Sequence, residues 1–92
     1  DVGGSTGALT TAILTKHPNL RAVIFDQAHV VANAENTLKS AGVCERCQII
    51  RGDFFESIPA KGDLYIISRV LLNWDDDNAL KILRNCRAVY SA

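Results

Sequence analysis

The residues most able to do chemistry lie in a glycine-rich stretch, residues 1–7 (DVGGSTG), directly before a helical pattern. Glycines at positions 3, 4 and 7 allow a tight turn and a close approach of the backbone to a ligand. The N–H groups that begin the next helix would then point at that ligand. We therefore predict a nucleotide-binding turn in which Asp1 is the last residue of a strand that begins before the chain does.

An acidic residue follows at the interval that a dinucleotide site uses. Asp26 ends the apolar run of residues 21–25, about 20 residues after the glycines, where a carboxylate would bind ribose hydroxyls. The glycine spacing differs from G-x-G-x-x-G, since Ser5 stands where another glycine would be expected. A cap or turn residue is the alternative role for Asp26.

Two further acidic positions have distinct interpretations. Asp53 follows a predicted strand and Gly52, so it is placed to accept from the exocyclic amine of a purine, with Phe54 packing on the ring face. A core position is the alternative for Phe54. The acids at 75–77 precede the last predicted helix and are explained by helix capping. A metal site is their alternative role, and we predict none.

The cysteines do not predict redox or zinc chemistry. Cys44 and Cys47 have C-x-x-C spacing, but Cys47 begins a predicted strand rather than a helix, and no second ligand pair is grouped with them. An odd number of loosely spaced cysteines is typical of a reducing compartment, so we expect a cytoplasmic protein.

Composition and charge exclude several classes of protein. The 92 residues are 48% hydrophobic with a formal net charge of zero, which is typical of a single α/β unit. The basic residues form no stripe of the kind that binds nucleic acid. No apolar run approaches the roughly 20 residues that span a bilayer. We therefore expect neither a nucleic-acid partner nor a membrane.

Strand and helix patterns alternate along the chain. The expected elements are helix 8–16, strand 21–26, helix 30–41, strand 47–51, strand 64–67 and helix 78–90. Short connections in this order indicate right-handed crossovers and a parallel sheet. With the strand that ends at Asp1, we predict an α/β fold: a Rossmann-like doubly wound parallel sheet of about four strands with flanking helices.

With these motifs placed, the chain resembles the catalytic domain of S-adenosylmethionine-dependent O-methyltransferases of the plant phenolic and bacterial polyketide type. The resemblance covers all 92 residues. The motifs that carry it are DVGGSTG at 1–7, FDQAHVV at 25–31, GDFFESIP at 52–59 and NWDDDNALKILRNCR at 73–87. It implies that 1–92 is part of a methyltransferase domain, with an N-terminal dimerisation region and C-terminal strands outside it, and that the full-length protein is a homodimer.

The resemblance also implies a cofactor, S-adenosyl-L-methionine, and the residues that bind it. Asp1, Gly3 and Gly4 would lie under its methionine part and Asp26 would bind the ribose. Asp53 and Phe54 would bind adenine, and Ser68 matches a further cofactor contact. Asn73 and Trp74 would contact the small-molecule acceptor, which is phenolic or polyketide-like, with a core position as the alternative for Trp74.

One position departs from the family pattern. Most members have a histidine two residues before the tryptophan as the general base, and here that residue is Leu72, so no catalytic residue is identified. The run Leu-Leu-Asn-Trp resembles a branch that includes anthracycline methyltransferases and aclacinomycin-10-hydroxylase, a relative that does not methylate. We predict an O-methyltransferase, with a hydroxylase-like relative or an NAD-binding Rossmann dehydrogenase fragment as alternatives.

Overall fold

The computed structural model describes residues 1–60 and 62–90. Its regular elements follow the alternating order that the sequence predicts. They are α1 (Ala8–Lys16), β1 (Ala22–Asp26), α2 (Ala28–Ala41), β2 (Cys47–Arg51) and α3 (Asp76–Tyr90), with short 3-10 helices at Cys44–Arg46 and Leu71–Asn73. No helix within the described ranges has the length and apolar character needed to cross a membrane.

A parallel pair of strands forms the sheet. β1 and β2 pair in register from Ala22 with Cys47 to Asp26 with Arg51, and α2 is the crossover between them. Val2 adds one isolated parallel bridge to Phe25 on the other side of β1. This β-α-β unit is the part of a Rossmann-like domain that the described residues build.

The prediction of about four strands is not met by the described residues, whose sheet has two. The predicted strand 64–67 lies next to the start of the chain, since the Val2 N–H donates to the Ile66 carbonyl (2.9 Å). A strand requires a ladder of such bonds, and residues 64–67 are not in the strand conformation that a ladder would give them. Residues 64–67 are therefore beside the sheet but not part of it, and Leu64 is 76% exposed.

Apolar side chains pack on both faces of the sheet. Successive strand residues point to opposite faces, so Ile24 and Phe25 enter different cores. Cluster A contains Leu14, Ile24, Val31, Ala34, Leu38 and Val43. Cluster B contains Val2, Phe25, Phe54, Ile58, Val70, Ile82 and Cys86. Because α1 and α2 supply cluster A and α3 supplies cluster B, helices cover both faces, as in a doubly wound fold.

The helix ends are fixed by identifiable contacts. The Arg46 guanidinium donates to the carbonyls of Leu14 (2.7 Å), His17 (3.2 Å) and Leu20 (3.1 Å), which lie at and beyond the end of α1. A cation at a helix C-terminus is favourable in the field of the helix dipole. The predicted capping role of the acids before α3 is confirmed at Asp75, whose carboxylate accepts the Asn78 N–H (2.9 Å).

Candidate functional site

The glycine-rich stretch forms a tight turn between the sheet and α1. Gly3 and Gly7 have φ of 73° and 81°, and Ser5 also has a positive φ of 53°. The Gly3 N–H donates to the Phe25 carbonyl (2.7 Å), and the Gly7 N–H donates to the Gly4 carbonyl (2.9 Å). The turn is thus anchored to β1 at one end and begins α1 at the other.

Packing behind the turn gives Gly3 and Gly4 a second reason to be glycine. A Cβ on Gly3 would lie 2.6 Å from Val70 Cγ2, and one on Gly4 would lie 2.7 Å from Ile24 Cγ2. The sequence predicted these glycines because of a close ligand approach. The structure adds that both core clusters pack directly against the turn.

Asp26 lies at the end of β1, next to the turn. Its Oδ2 accepts the Ser5 N–H (3.1 Å) and its Oδ1 accepts the Gln27 N–H (2.8 Å). The turn role that the sequence left open is therefore present. Because a carboxylate has about four lone-pair sites, each oxygen of this half-buried side chain still has capacity to accept from a ligand hydroxyl.

Asp1 is held by a residue that sequence reasoning missed. The hydroxyl of Thr10 donates to Asp1 Oδ2 (2.8 Å), and Thr10 is only 2% exposed. Its signal in the sequence is weak, because a threonine in α1 has no pattern that indicates a partner nine residues away. The contact fixes the Asp1 carboxylate against the first turn of α1.

A cavity of about 730 Å³ joins the turn to the segment before α3. This size is within the range of small-molecule sites. Its lining comprises Asp1, Gly3, Gly4, Ser5, Thr6, Ala8, Leu9, Asp26, Phe54, Ser68, Arg69, Val70, Asn73 and Trp74. Eight of the predicted site residues are thus brought together, whereas sequence reasoning missed Ser5, Thr6, Ala8, Leu9, Arg69 and Val70.

The N-terminus of α1 contributes backbone donors to this cavity. Ala8 and Leu9 line it, and no side chain caps the helix at Gly7. The first N–H groups of a helix have no partner within the helix and carry its positive dipole end. This part of the lining is suited to an anionic group.

Two positions singled out from the sequence do not line the cavity. Asp53 is exposed, and its Oδ1 accepts the Phe55 N–H (2.9 Å), although its neighbour Phe54 does line the cavity. Leu72 is 75% exposed and absent from the lining, while the adjacent Asn73 belongs to it. The position of the family's general base is therefore outside the described cavity wall.

Three aromatic rings meet at one end of the cavity. Phe55 lies edge-on to Trp74 with ring centroids 4.7 Å apart, and Phe54 contacts Phe55 at 5.0 Å and Trp74 at 6.3 Å. The Phe54 carbonyl accepts from Asn85 Nδ2 (2.9 Å), which ties the group to α3. Phe54 is both a core residue and a cavity residue, so its two predicted roles are compatible.

The thiols show no sign of redox or metal chemistry. Cys44 is exposed, Cys47 half-buried and Cys86 buried, and all are free. Burial raises the pKa of both Cys47 and Cys86, which keeps these thiols protonated rather than reactive. Among residues 1–60 and 62–90, no group of three or more His, Cys, Asp or Glu side chains is arranged to hold a metal ion.

A second cavity, of about 530 Å³, lies at the amino ends of the strands, where Ala22 and Cys47 contribute to its lining. Ligands of open parallel sheets bind at the carboxyl ends of the strands. The cavity beside Asp26 is at that end, and we take it as the candidate site.

Comparison with known proteins identifies the family of the chain. The sequence model of the O-methyltransferase domain matches residues 1–92. Phenazine O-methyltransferase PhzM of Lysobacter antibioticus is 47% identical over 92 residues, which are 100% of this chain and 27% of that protein. Aclacinomycin 10-hydroxylase RdmB of Streptomyces purpurascens is 40% identical over 86 residues, 94% of this chain and 23% of its own length.

A solved structure has the same fold as the chain. It is the O-methyltransferase NcsB1 from neocarzinostatin biosynthesis, in complex with S-adenosylmethionine and 2-hydroxy-5-methyl naphthoic acid. The TM-score is 0.92 at 37% identity, over 97% of this chain and 27% of that one. The chain spans about a quarter of the length of these relatives. The family inferred from the motifs is confirmed over the dehydrogenase alternative: the chain belongs to the O-methyltransferase family.

Proposed function

We propose that this chain is the cofactor-binding part of an S-adenosyl-L-methionine-dependent O-methyltransferase whose acceptor is a phenolic or polyketide-like small molecule. The observation that carries the proposal is the single cavity that contains Asp26 and the glycine turn on one side and Asn73 and Trp74 on the other. A methyl donor and its acceptor must lie in contact, and one continuous cavity permits this.

The described residues fit the cofactor chemically. Asp26 has lone pairs left for two ribose hydroxyls, the uncapped start of α1 suits the carboxylate of the methionine part, and the Phe54 ring offers an apolar surface for adenine. Ser68 lines the same cavity. Asp53 is outside the lining but next to Phe54 in the chain, and we propose that its Oδ2, which is not the oxygen bonded to Phe55, accepts from the adenine amine. When bound, S-adenosyl-L-methionine would supply an electrophilic methyl group on its sulfonium.

The acceptor side has no side-chain base at position 72, because leucine does not accept a proton. Loss of a positioned base typically costs about 10²–10⁴ in rate. We propose that Asn73 and Trp74 orient an acceptor whose hydroxyl is acidic enough to ionise into water. The naphthoic acid bound by NcsB1 makes aromatic hydroxy acids the first acceptors to test.

We further propose that 1–92 is part of a longer methyltransferase domain, and that the full-length protein is a cytoplasmic homodimer. The chain spans about a quarter of the length of its relatives, which supports a longer protein. The three free thiols support a reducing compartment.

A hydroxylase-like activity is the second candidate. Two observations favour it: Leu72 in place of a base, and the 40% identity to aclacinomycin 10-hydroxylase RdmB. In this case the bound sulfonium would act through its charge, and the product would gain one oxygen atom from O₂, the second leaving as water with two electrons from an added reductant, rather than a methyl group.

The test is product mass on the full-length protein, incubated with S-adenosyl-L-methionine and a panel of phenolic acceptors. We expect a product heavier by one methyl substitution, and calorimetric binding of S-adenosylhomocysteine but not NADH. A gain of oxygen that requires a reductant would favour the second candidate. Binding of NADH alone would contradict both.

A further inference from the structure

We propose that Arg69 determines acceptor specificity by binding a carboxylate on the aromatic acceptor, an inference that rests on the function proposed above. Arg69 lines the same cavity as Asn73 and Trp74 and directly follows Ser68. No pattern in the sequence indicated it, and nothing in the proposed methyl transfer uses it.

The backbone at Arg69 is in an unusual conformation that its neighbours maintain. Its φ is 60°, in the left-handed region that side chains with a Cβ disfavour. On one side, Val70 is only 7% exposed and packs behind Gly3. On the other, Asn73 Nδ2 donates to the Arg69 carbonyl (3.2 Å). Strained residues of this kind concentrate at functional sites, where the surroundings over-determine them.

The guanidinium is available to a ligand. Within residues 1–60 and 62–90, neither a hydrogen bond nor an ion pair engages the Arg69 side chain, which is exposed. The two carboxylates of the cavity are held elsewhere: Asp1 by Thr10, and Asp26 by the N–H groups of Ser5 and Gln27. Arg69 therefore lines the cavity, and none of the described residues acts as a counter-ion to it.

The chemistry of the neighbours indicates what this cation would bind. A guanidinium presents parallel N–H donors that match a carboxylate in a bidentate pair. Trp74 is 40% exposed and offers a ring surface to an aromatic compound a few residues away. Arg69 for the carboxylate and Trp74 for the ring together indicate an aromatic hydroxy acid as the acceptor class. The methionine carboxylate of the cofactor has the same chemistry, so the test must separate the two sources.

The experiment uses the full-length protein as wild type, Arg69→Gln and Arg69→Lys, with Arg84→Gln as the matched control. Arg84 is an exposed arginine on α3 outside the cavity lining. Two probes that differ only in the carboxylate, 1-hydroxy-2-naphthoate and 1-naphthol, are titrated with and without S-adenosylhomocysteine. The affinity for S-adenosylhomocysteine is measured separately by calorimetry.

We expect wild type and Arg84→Gln to bind the acid about 10–100-fold more tightly than 1-naphthol, as a charge-assisted pair implies. Arg69→Gln should remove this preference. Arg69→Lys should retain part of it, because the positive charge remains but the parallel N–H donors of the guanidinium are lost. The affinity for S-adenosylhomocysteine should not change in either variant, which also shows that both are folded.

Three results would overturn the inference. They are equal binding of both probes by wild type, a full preference retained in Arg69→Gln, and a loss of S-adenosylhomocysteine affinity in Arg69→Gln, which would assign the residue to the cofactor. Failure of the proposed function gives a different result, because wild type would then not bind S-adenosylhomocysteine. The preference for the acid over 1-naphthol would still be measurable in the titrations without S-adenosylhomocysteine.

Discussion

The two walls of the cavity are built from different kinds of chemical group. The turn wall, residues 3–9, is the richer in backbone groups, because it combines a glycine turn with the uncapped start of α1. The acceptor wall, residues 68–74, contributes the polar and aromatic residues Arg69, Asn73 and Trp74, together with Val70 and the proposed cofactor contact Ser68. Backbone groups stay the same when side chains change, whereas a wall of side chains can be altered one residue at a time. The first arrangement suits a constant cofactor and the second a variable acceptor.

The largest effect should come from adding one methyl group to the turn wall. In Gly3→Ala the new Cβ meets Val70 Cγ2 at 2.6 Å and the residue must keep a φ of 73°. A left-handed alanine costs about 1–2 kcal/mol, and overpacking adds about 1–3 kcal/mol. We expect urea unfolding of the full-length protein to show a loss of about 2–5 kcal/mol.

Gly42→Ala is the matched control for that change. Gly42 has a φ of 74°, nearly that of Gly3, but nothing lies within 4 Å of its Cβ position. It should therefore lose only the conformational part, about 1–2 kcal/mol. Combining Gly3→Ala with Val70→Ala should destabilise less than the sum of the two changes. Equal losses at Gly3 and Gly42 would show that packing behind the turn is unimportant.

A smaller effect should follow from removing the carboxylate beside the turn wall. Asp26→Ala should weaken binding of S-adenosylhomocysteine by about 1–3 kcal/mol, because the ribose hydroxyls lose a charged acceptor. Calorimetry measures this, with Glu35→Ala as the control because Glu35 is exposed on α2 and outside the lining. Unchanged affinity in Asp26→Ala would remove this residue from the cofactor site.

A change in the acceptor wall should affect the acceptor more than the cofactor. Trp74→Ala should weaken the binding of an aromatic acceptor by about 1 kcal/mol, the typical contribution of an aromatic pair. The affinity of Trp74→Ala for S-adenosylhomocysteine should fall less than its affinity for the acceptor, because Trp74 is linked to the cofactor side through its contact with Phe54. The acceptor affinity of Trp74→Phe should lie between those of wild type and Trp74→Ala. A parallel loss of both ligands would mean that the walls are not independent.

The smallest effect concerns two of the three thiols, each of which packs with one core cluster. Cys47 packs against cluster A and Cys86 belongs to cluster B, and burial raises the pKa of both above the ordinary 9.0. Above that pH the unfolded thiols ionise first, so the folded state holds more protons and its stability falls as pH rises. Urea midpoints at about pH 8 and pH 10 should differ less in Cys86→Ala than in wild type. An identical difference in both would show that Cys86 does not contribute.

Spacing alone predicted the glycine turn, whereas Ser68, Asn73 and Trp74 of the acceptor wall came only from the family resemblance, for a physical reason. Glycines, Asp26 and the start of α1 are close in the chain or at a fixed interval, so their spacing indicates the geometry. The acceptor wall depends on a positive φ at Arg69 and on its contact with Asn73, which no residue pattern indicates. Likewise, apolar residues at 64–67 predicted a strand, but strand formation needs paired partners along its whole length.

Phe54 gives the two walls a common element. Its ring lies 3.5 Å from a Cβ position on Gly3 and 6.3 Å, centroid to centroid, from Trp74, and its carbonyl is fixed by Asn85. A ligand that shifts this ring from one side changes the surface offered on the other. The free energy of such coupling is reciprocal, so each ligand alters the affinity of the other by the same factor. A change in the position of one phenylalanine would therefore be felt equally by the affinities for donor and acceptor, whichever binds first.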